Sequence, residues 1–184
     1  MNELLEGFRH ITDFGGYDHM LFILAMAAPF TISDWKKLLI LVTAFTIGHS
    51  LTLALSASSI IKFNSGLIEL LIPITIFITA ASNVLYKDLK DLKWRYLITL
   101  GFGLIHGMGF SSYFRMMYEG NSNWIAQLFL FNCGVEIGQL LVLGLIMLLG
   151  VLATSALKVE KRKWAIGLSV IAAIISGYLI LDKF

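Results

Sequence analysis

The stretch WIAQLFLFNCGVEIGQLLVLGLIMLLGVLATSAL, residues 124–157, decides the fold class of this chain. It runs for 34 residues, and Glu136 is its single charged residue. A helix needs about 20 apolar residues to cross a bilayer. The segment is therefore long enough to cross a membrane as a helix that tilts, kinks or projects beyond the lipid. We expect a membrane protein, and the remainder of the chain follows the same pattern.

The composition agrees with this expectation. The 184 residues are 58% hydrophobic and 14% charged, whereas a soluble domain is about 25% charged. Charged residues gather between long apolar stretches, which predicts an all-α polytopic membrane protein with one transmembrane domain, residues 1–184. Apolar residues at positions 4, 5, 8 and 11 predict a short amphipathic helix at the membrane interface before the bundle. We expect about six transmembrane helices, with spans of about 17–32, 37–57, 66–86, 94–117, 124–157 and 164–181.

The distribution of Lys and Arg predicts the orientation of the bundle. Six crossings place both termini on the same side, and cytoplasmic loops carry most of the Lys and Arg residues. Of the 14 such residues, four fall on the side of the termini and ten on the opposite side. We therefore expect an integral protein of a bacterial inner or plasma membrane, with both termini outside. The lipid bilayer is then one partner.

Charge and cysteine content exclude other classes. The net charge is +2, and the basic residues sit at helix ends without interleaved aromatic residues, so no nucleic-acid partner is expected. The single cysteine, Cys133, excludes an internal disulfide and a cysteine-rich zinc site.

Ionisable residues inside the predicted spans indicate a functional site. Such residues are costly in a bilayer, so each is a functional hypothesis by default. His10 and the pair Asp18–His19 flank the start of the first span. His49 and His106 each lie roughly 18 Å along a span at the helical rise, as does Glu136 in residues 124–157. All these residues fall between the middle of the membrane and its outer face, so we expect them to converge.

Each motif alone also has an ordinary explanation. Asp18 is a plausible helix cap, and His49 shares a helical face with Thr46 and Ser50, as interhelical hydrogen-bonding residues do. Glu136 lies on one stripe with Asn132 and Gln139, where a protonated carboxyl group is an alternative to a metal ligand. Taken together, imidazole and carboxylate groups suit Ni²⁺, Zn²⁺ and Co²⁺.

Four motifs carry a resemblance to a known family. GFRHITDFGGYDHMLFILA, VTAFTIGHSLTLA, GFGLIHGMGF and FNCGVEIGQ, in this order, are similar to motifs of the HupE/UreJ family of small membrane proteins. The resemblance covers nearly the whole chain and implies six or more helices and a link to nickel or cobalt uptake. Seven residues separate the first histidine from the Asp-His pair here, compared with five in the familiar family motif. The resemblance implies that His10, Asp18 and His19 bind metal, that His49 and His106 are family histidines of later helices, and that Glu136 is the family's acidic position.

Two main functions are compatible with these residues, and a binding or accessory subunit without transport of its own is a third alternative. The first is a transition-metal permease, with nickel as the leading substrate. Its intramembrane site would open to the outer face and contain His10, Asp18, His19, His49, His106 and Glu136, with Thr46, Ser50, Asn132 and Gln139 as supporting polar groups. The alternative is an intramembrane zinc-dependent hydrolase that uses the same cluster, with Glu136 as general base. The transporter is favoured over the enzyme, and a homo-oligomer is compatible with either.

Overall fold

Every regular element of the protein is helical in the computed structural model, which describes residues 2–58, 64–86, 92–118 and 123–184. A long helix that ends at Val151 continues into a wider π turn over Leu152–Ala156, and short 3₁₀ turns cover Phe14–Gly16 and Ile32–Asp34. The helices are α1 (Glu3–Thr12), α2 (Asp18–Ala27), α3 (Trp35–Ala57), α4 (Ser65–Leu85), α5 (Leu92–Tyr118), α6 (Trp124–Val151) and α7 (Lys161–Leu181).

Five of the helices in the described ranges, α3 to α7, are long and apolar enough to cross a membrane. Their bounds agree with the predicted spans to within three residues, apart from the far end of α6, where the π turn completes the predicted segment. The prediction of an all-helical polytopic membrane protein is therefore confirmed.

The predicted first span is shorter than expected. Residues 17–32 were expected to form one helix, but α2 covers only Asp18–Ala27, about 15 Å at the helical rise. The helix ends next to Pro29, because the proline nitrogen carries no proton and cannot donate to the carbonyl of Ala25, which accepts a hydrogen bond from Asn83 instead. Helix α2 is nevertheless central, because it packs against α4, α6 and α7.

Helices α1 and α2 lie one after the other along α6. Helix α1 runs parallel to α6: Gln127 donates to Glu3 at its start, and Gly138 lies against Ile11 near its end. Helix α2 then also contacts α6, and its last residue, Ala27, shares a cavity with Met147. Both short helices therefore follow α6 in the same direction, with a break at residues 13–17.

Glycines bring the helix pairs close together. A methyl group at Gly48 of α3 would overlap the backbone of Leu100 in α5, and one at Gly103 would overlap the backbone of Phe45. A methyl group at Gly7 of α1 would likewise overlap the backbone of Phe131 in α6, and one at Gly134 of α6 would overlap the backbone of Leu4 in α1. Without a Cβ atom, these backbones approach closely, as in other helix pairs of membranes.

Both chain termini lie at one end of the bundle, which we call the site end: the end where α3 and α5 finish and α4 and α6 begin. Glu3 contacts Gln127 at the beginning of α6, and Lys183 forms an ion pair with Glu69 near the beginning of α4.

Candidate metal centre

The break between α1 and α2 carries the first group of site residues. His10 lies in the last turn of α1, and Asp18 and His19 open α2. The intervening chain turns because the Asp13 carboxylate accepts a hydrogen bond of 2.9 Å from the backbone N–H of Gly15. This compact turn returns the chain towards His10, so the longer spacing of the motif still places both ends of the break at one site.

The chain contains four histidines, and all of them meet at this position. Close packing of α3 on α5 adds His49 and His106 to the pair from the break. The ring centroid of His19 lies 4.5 Å from that of His10, 5.1 Å from that of His106 and 5.9 Å from that of His49. His10 and His49 are 5.5 Å apart. The structure therefore brings together the four histidines of the group that was expected to converge.

The histidines retain free nitrogen atoms. The Nε2 atoms of His10 and His19, both ring nitrogens of His49 and Nδ1 of His106 are buried without a hydrogen-bond partner among the described residues. Asn132, whose side chain interacts with His49, also has a buried Oδ1 atom that makes no hydrogen bond of ordinary geometry. Buried polar atoms normally have partners. This concentration of unpaired ring nitrogens fits a site that takes a cation.

Two overlapping groups of ligand atoms are present. In one group, atoms of His10, His19 and His49 all lie within 4.8 Å of one another. In the other, atoms of Asp18, His19 and His106 satisfy the same limit. His19 belongs to both groups. Imidazole-rich donor sets of this kind suit Zn²⁺, Ni²⁺ and Co²⁺ better than Mg²⁺ or Ca²⁺, which prefer oxygen.

Two side chains orient the histidines from behind. Asp18 Oδ1 lies 3.1 Å from Nδ1 of His19 and also accepts a hydrogen bond from the His19 backbone N–H. Thr75 Oγ1, on α4, lies 3.0 Å from Nε2 of His106. Sequence reasoning missed Thr75, because a lone threonine within the apolar run of α4 carries no motif and shows its role only once α4 packs on α5.

Aromatic rings surround the cluster. Phe22 of α2 and Phe45 of α3 are fully buried, and their centroids lie 5.2 and 5.1 Å from that of His106. Each is displaced from the histidine of its own helix away from the site end. Phe110 lies on the opposite side, with its ring centroid 4.1 Å from that of His10 and the two rings tilted by 44°. The histidines thus sit in apolar surroundings, which strengthen electrostatic interactions with a bound ion.

A cavity of about 500 Å³ leads to the cluster from the site end. His10, Asp18, His19 and His106 all line it, together with further carboxylates. We call this cavity the vestibule. Its carboxylates are Glu6, Asp13, Asp18 and Glu69, of which Glu6 pairs with Arg9 at 3.6 Å and Glu69 with Lys183 at 2.9 Å.

The ion pair at the mouth of the vestibule affects Lys183. Its contact with Glu69 raises the pKa of the Lys183 ammonium group, because the neighbouring carboxylate stabilises the charged form. Lys183 therefore remains charged and competes with any cation for Glu69.

Glu136 lies apart from the four histidines. Its carboxylate accepts a hydrogen bond of 2.8 Å from Thr43, which is on the exposed side of α3, whereas His49 is on the buried side. Six residues separate Thr43 from His49, a rise of about 9 Å. Glu136 is in neither group of ligand atoms, so the structure does not bring it to the cluster.

Only one of the four predicted supporting residues has a side-chain interaction with a histidine. Asn132 lies beside His49, as described above. Thr46 and Gln139 contact each other at 2.7 Å, which links α3 to α6. Ser50 donates to the backbone carbonyl of Thr46 at 2.6 Å within α3. Asn132 thus interacts with a histidine, Thr46 and Gln139 join two helices, and Ser50 bonds within its own helix.

The comparisons with known proteins agree with the motifs. The family model described as HupE / UreJ protein matches residues 1–182. No curated protein and no solved structure matches the chain significantly.

Proposed function

The chain belongs to the HupE/UreJ family, and we propose that it is a permease for a divalent transition metal, with Ni²⁺ as the leading substrate. The family is associated with the transport of nickel or cobalt. One observation carries the proposal: all four histidines, from four different helices, meet beside Asp18 with five ring nitrogens unpaired. A buried structural histidine normally has its nitrogens hydrogen-bonded, so packing alone does not account for this arrangement.

In this proposal, the ion enters from the outer face. Both termini lie at the site end, and the Lys and Arg count places the termini outside, so the vestibule would open outwards. Its carboxylates would attract the cation. Asp18, His19 and His106 would bind it first, since these residues line the vestibule. His49, which does not line it, would complete a deeper position with His10 and His19.

Release would require movement of the aromatic pair. Phe22 and Phe45 lie beyond the histidines. Further along α4, the buried side chain of Asn83 donates to the carbonyl of Ala25 and to Ser169. We propose that the ion passes towards Asn83 when Phe22 and Phe45 move. Glu136 would act along the ion's path or in proton exchange, outside the four-histidine cluster.

The zinc hydrolase has less support. Its hypothesis assigns Glu136 as general base, and a base must lie within hydrogen-bond reach of the water that it activates. Glu136 instead contacts Thr43 on the other side of α3.

The test is uptake of Ni²⁺ into proteoliposomes that contain the purified protein and a metal-sensitive dye. We expect saturable uptake by the wild type and a loss of at least ~10-fold for Asp18→Ala and His49→Ala. Asp34→Ala, at the opposite end of the bundle, serves as the matched control and should transport normally. One tightly held zinc without uptake would favour the hydrolase instead.

A further inference from the structure

We propose that Thr75 is a positioning residue of the metal centre: its hydroxyl holds His106 in the tautomer that leaves Nδ1 free for the cation. The role in cation binding rests on the proposed function. The hydrogen bond itself does not, because the tautomer of His106 can be measured in metal-free protein.

The hydroxyl of Thr75 has two neighbours and one proton. Its oxygen lies 2.7 Å from the backbone carbonyl oxygen of Ile72 and 3.0 Å from Nε2 of His106. Both Thr75 and His106 are buried. A hydroxyl group donates once and accepts twice, whereas a carbonyl oxygen only accepts. The shorter contact therefore takes the proton, and Thr75 Oγ1 accepts a hydrogen bond from Nε2–H of His106.

This assignment determines which nitrogen of His106 is available. A neutral imidazole carries one N–H, so a proton on Nε2 leaves the lone pair on Nδ1. Nδ1 is buried and has no hydrogen-bond partner in the described part of the chain. The opposite tautomer would bury an unpaired N–H there, which costs free energy. It would also present a proton, rather than a lone pair, to the ion.

His19 is held in the complementary way. Its Nδ1 faces the Asp18 carboxylate, which only accepts hydrogen bonds when ionised, so Nε2 carries the lone pair. The two neighbouring histidines therefore offer different nitrogens, and each tautomer is set by a side chain behind the ring. Helix α4 contributes to the centre through Thr75 without supplying a metal ligand. Partners of this kind change metal affinity when removed.

The first experiment measures ring ¹⁵N chemical shifts of metal-free, ¹⁵N-histidine-labelled protein in lipid nanodiscs, with His106→Gln used to assign the signals. We expect Nε2–H for His106 in the wild type and in Thr75→Ser, and a tautomer mixture or reversal in Thr75→Val. Thr79→Val is the matched control, since the Thr79 hydroxyl contacts only the Thr75 backbone carbonyl. An Nδ1–H form in the wild type, or an unchanged tautomer in Thr75→Val, would overturn the proposal.

The second experiment is a titration of the same variants with Zn²⁺, which is diamagnetic and leaves the NMR signals sharp. We expect Thr75→Val to weaken binding by about 10- to 100-fold, while Thr75→Ser and Thr79→Val bind like the wild type. Unchanged affinity in Thr75→Val would remove the positioning role. Failure of the wild type to bind either Zn²⁺ or Ni²⁺ would refute the permease. The tautomer of His106, measured in metal-free protein, would still show whether Thr75 accepts the hydrogen bond from Nε2–H.

Discussion

His19 connects the two groups of ligand atoms, one with His10 and His49 and the other with Asp18 and His106. It stands at the first turn of α2, where its backbone and its ring both contact Asp18. Removal of any other histidine leaves one of the two groups complete. Removal of His19 leaves neither group complete. A variant without His19 should therefore lose more metal affinity than a variant without one of the other histidines.

We expect His19→Ala to weaken Co²⁺ binding by more than ~100-fold, and His49→Ala or His106→Ala by less, because each keeps one group of three. The visible absorption of bound Co²⁺ during titration of the purified protein gives both affinity and coordination geometry. Equal losses in all three variants would show that one ion uses all four histidines together.

Protonation should oppose metal binding at the same residues. Imidazole binds a metal only in its neutral form, so protons compete with Ni²⁺ for the ring nitrogens. We therefore expect Ni²⁺ uptake to fall as the pH is lowered from 7 to 4, with no imposed proton gradient across the vesicle membrane. Uptake that stays constant down to pH 4 would contradict ligation by histidine.

At the scale of the helices, glycine contacts set the position of the ligands. His49 and His106 come together because α3 and α5 touch through Gly48, Gly103 and Gly107. A methyl group at Gly48 would collide with the backbone of α5, and a backbone cannot move aside as a flexible side chain can. Gly101, in the same pair of helices, has no atom within 4 Å of where its Cβ atom would lie.

Gly48→Ala should accordingly destabilise the protein by about 1–3 kcal/mol, as expected for overpacking. Gly101→Ala, the control in the same motif region, should change stability by less than about 1 kcal/mol. Thermal unfolding in detergent, followed by circular dichroism, compares the two variants. Similar melting temperatures for both would mean that α3 and α5 separate easily.

The sequence predicted the long helices better than the short ones. Apolar length alone identifies α3 to α7, because a bilayer requires about 20 residues per crossing. The place of α1 beside α6 depends on Gly7 and Gly134, whose contact joins residues far apart in sequence. The spacing of apolar residues predicted a helix there, but contains no information about which helix it would contact.

The candidate site was predicted only in part, because spacing along one helix does not show how that helix is rotated against its neighbours. Histidines stand out in apolar spans, and the depth of His49 and His106 follows from counting residues. The face on which Glu136 lies depends on the rotation of α6 against α3, which counting along one helix does not give. Thr75 gave no signal in the sequence, since threonine is common in membrane helices. Its hydroxyl can bond to a carbonyl of its own helix, as Thr75 also does with Ile72.

At the scale of the whole molecule, the vestibule opens at one end and the aromatic pair lies beyond the histidines. The ten-to-four distribution of Lys and Arg predicts that the other end lies in the cytoplasm. The permease proposal requires this orientation, because the vestibule must face the source of the ion. Orientation can be measured separately from transport.

Cysteine labelling tests the orientation of the protein in the membrane. In a Cys133→Ser background, we expect Phe184→Cys to react with a membrane-impermeant maleimide added to intact cells, because residue 184 is exposed at the site end. Glu160→Cys, exposed before α7 at the opposite end, should react only after the membrane is opened. The reverse pattern would place the vestibule in the cytoplasm and make the protein an exporter in this scheme.

The break between α1 and α2 also bears on how the protein is made. Each of these helices has ten residues, too short to span a bilayer, and α1 carries Glu3, Glu6 and Arg9. Neither helix is a good insertion signal, and their shared partner, α6, leaves the ribosome much later. We therefore expect the N-terminal segment to stay at the membrane surface until α6 is in place. A nascent chain that stops after α5 would have His49 and His106 inserted but His10 and His19 still outside, so the candidate metal centre would close only after α6 has been made.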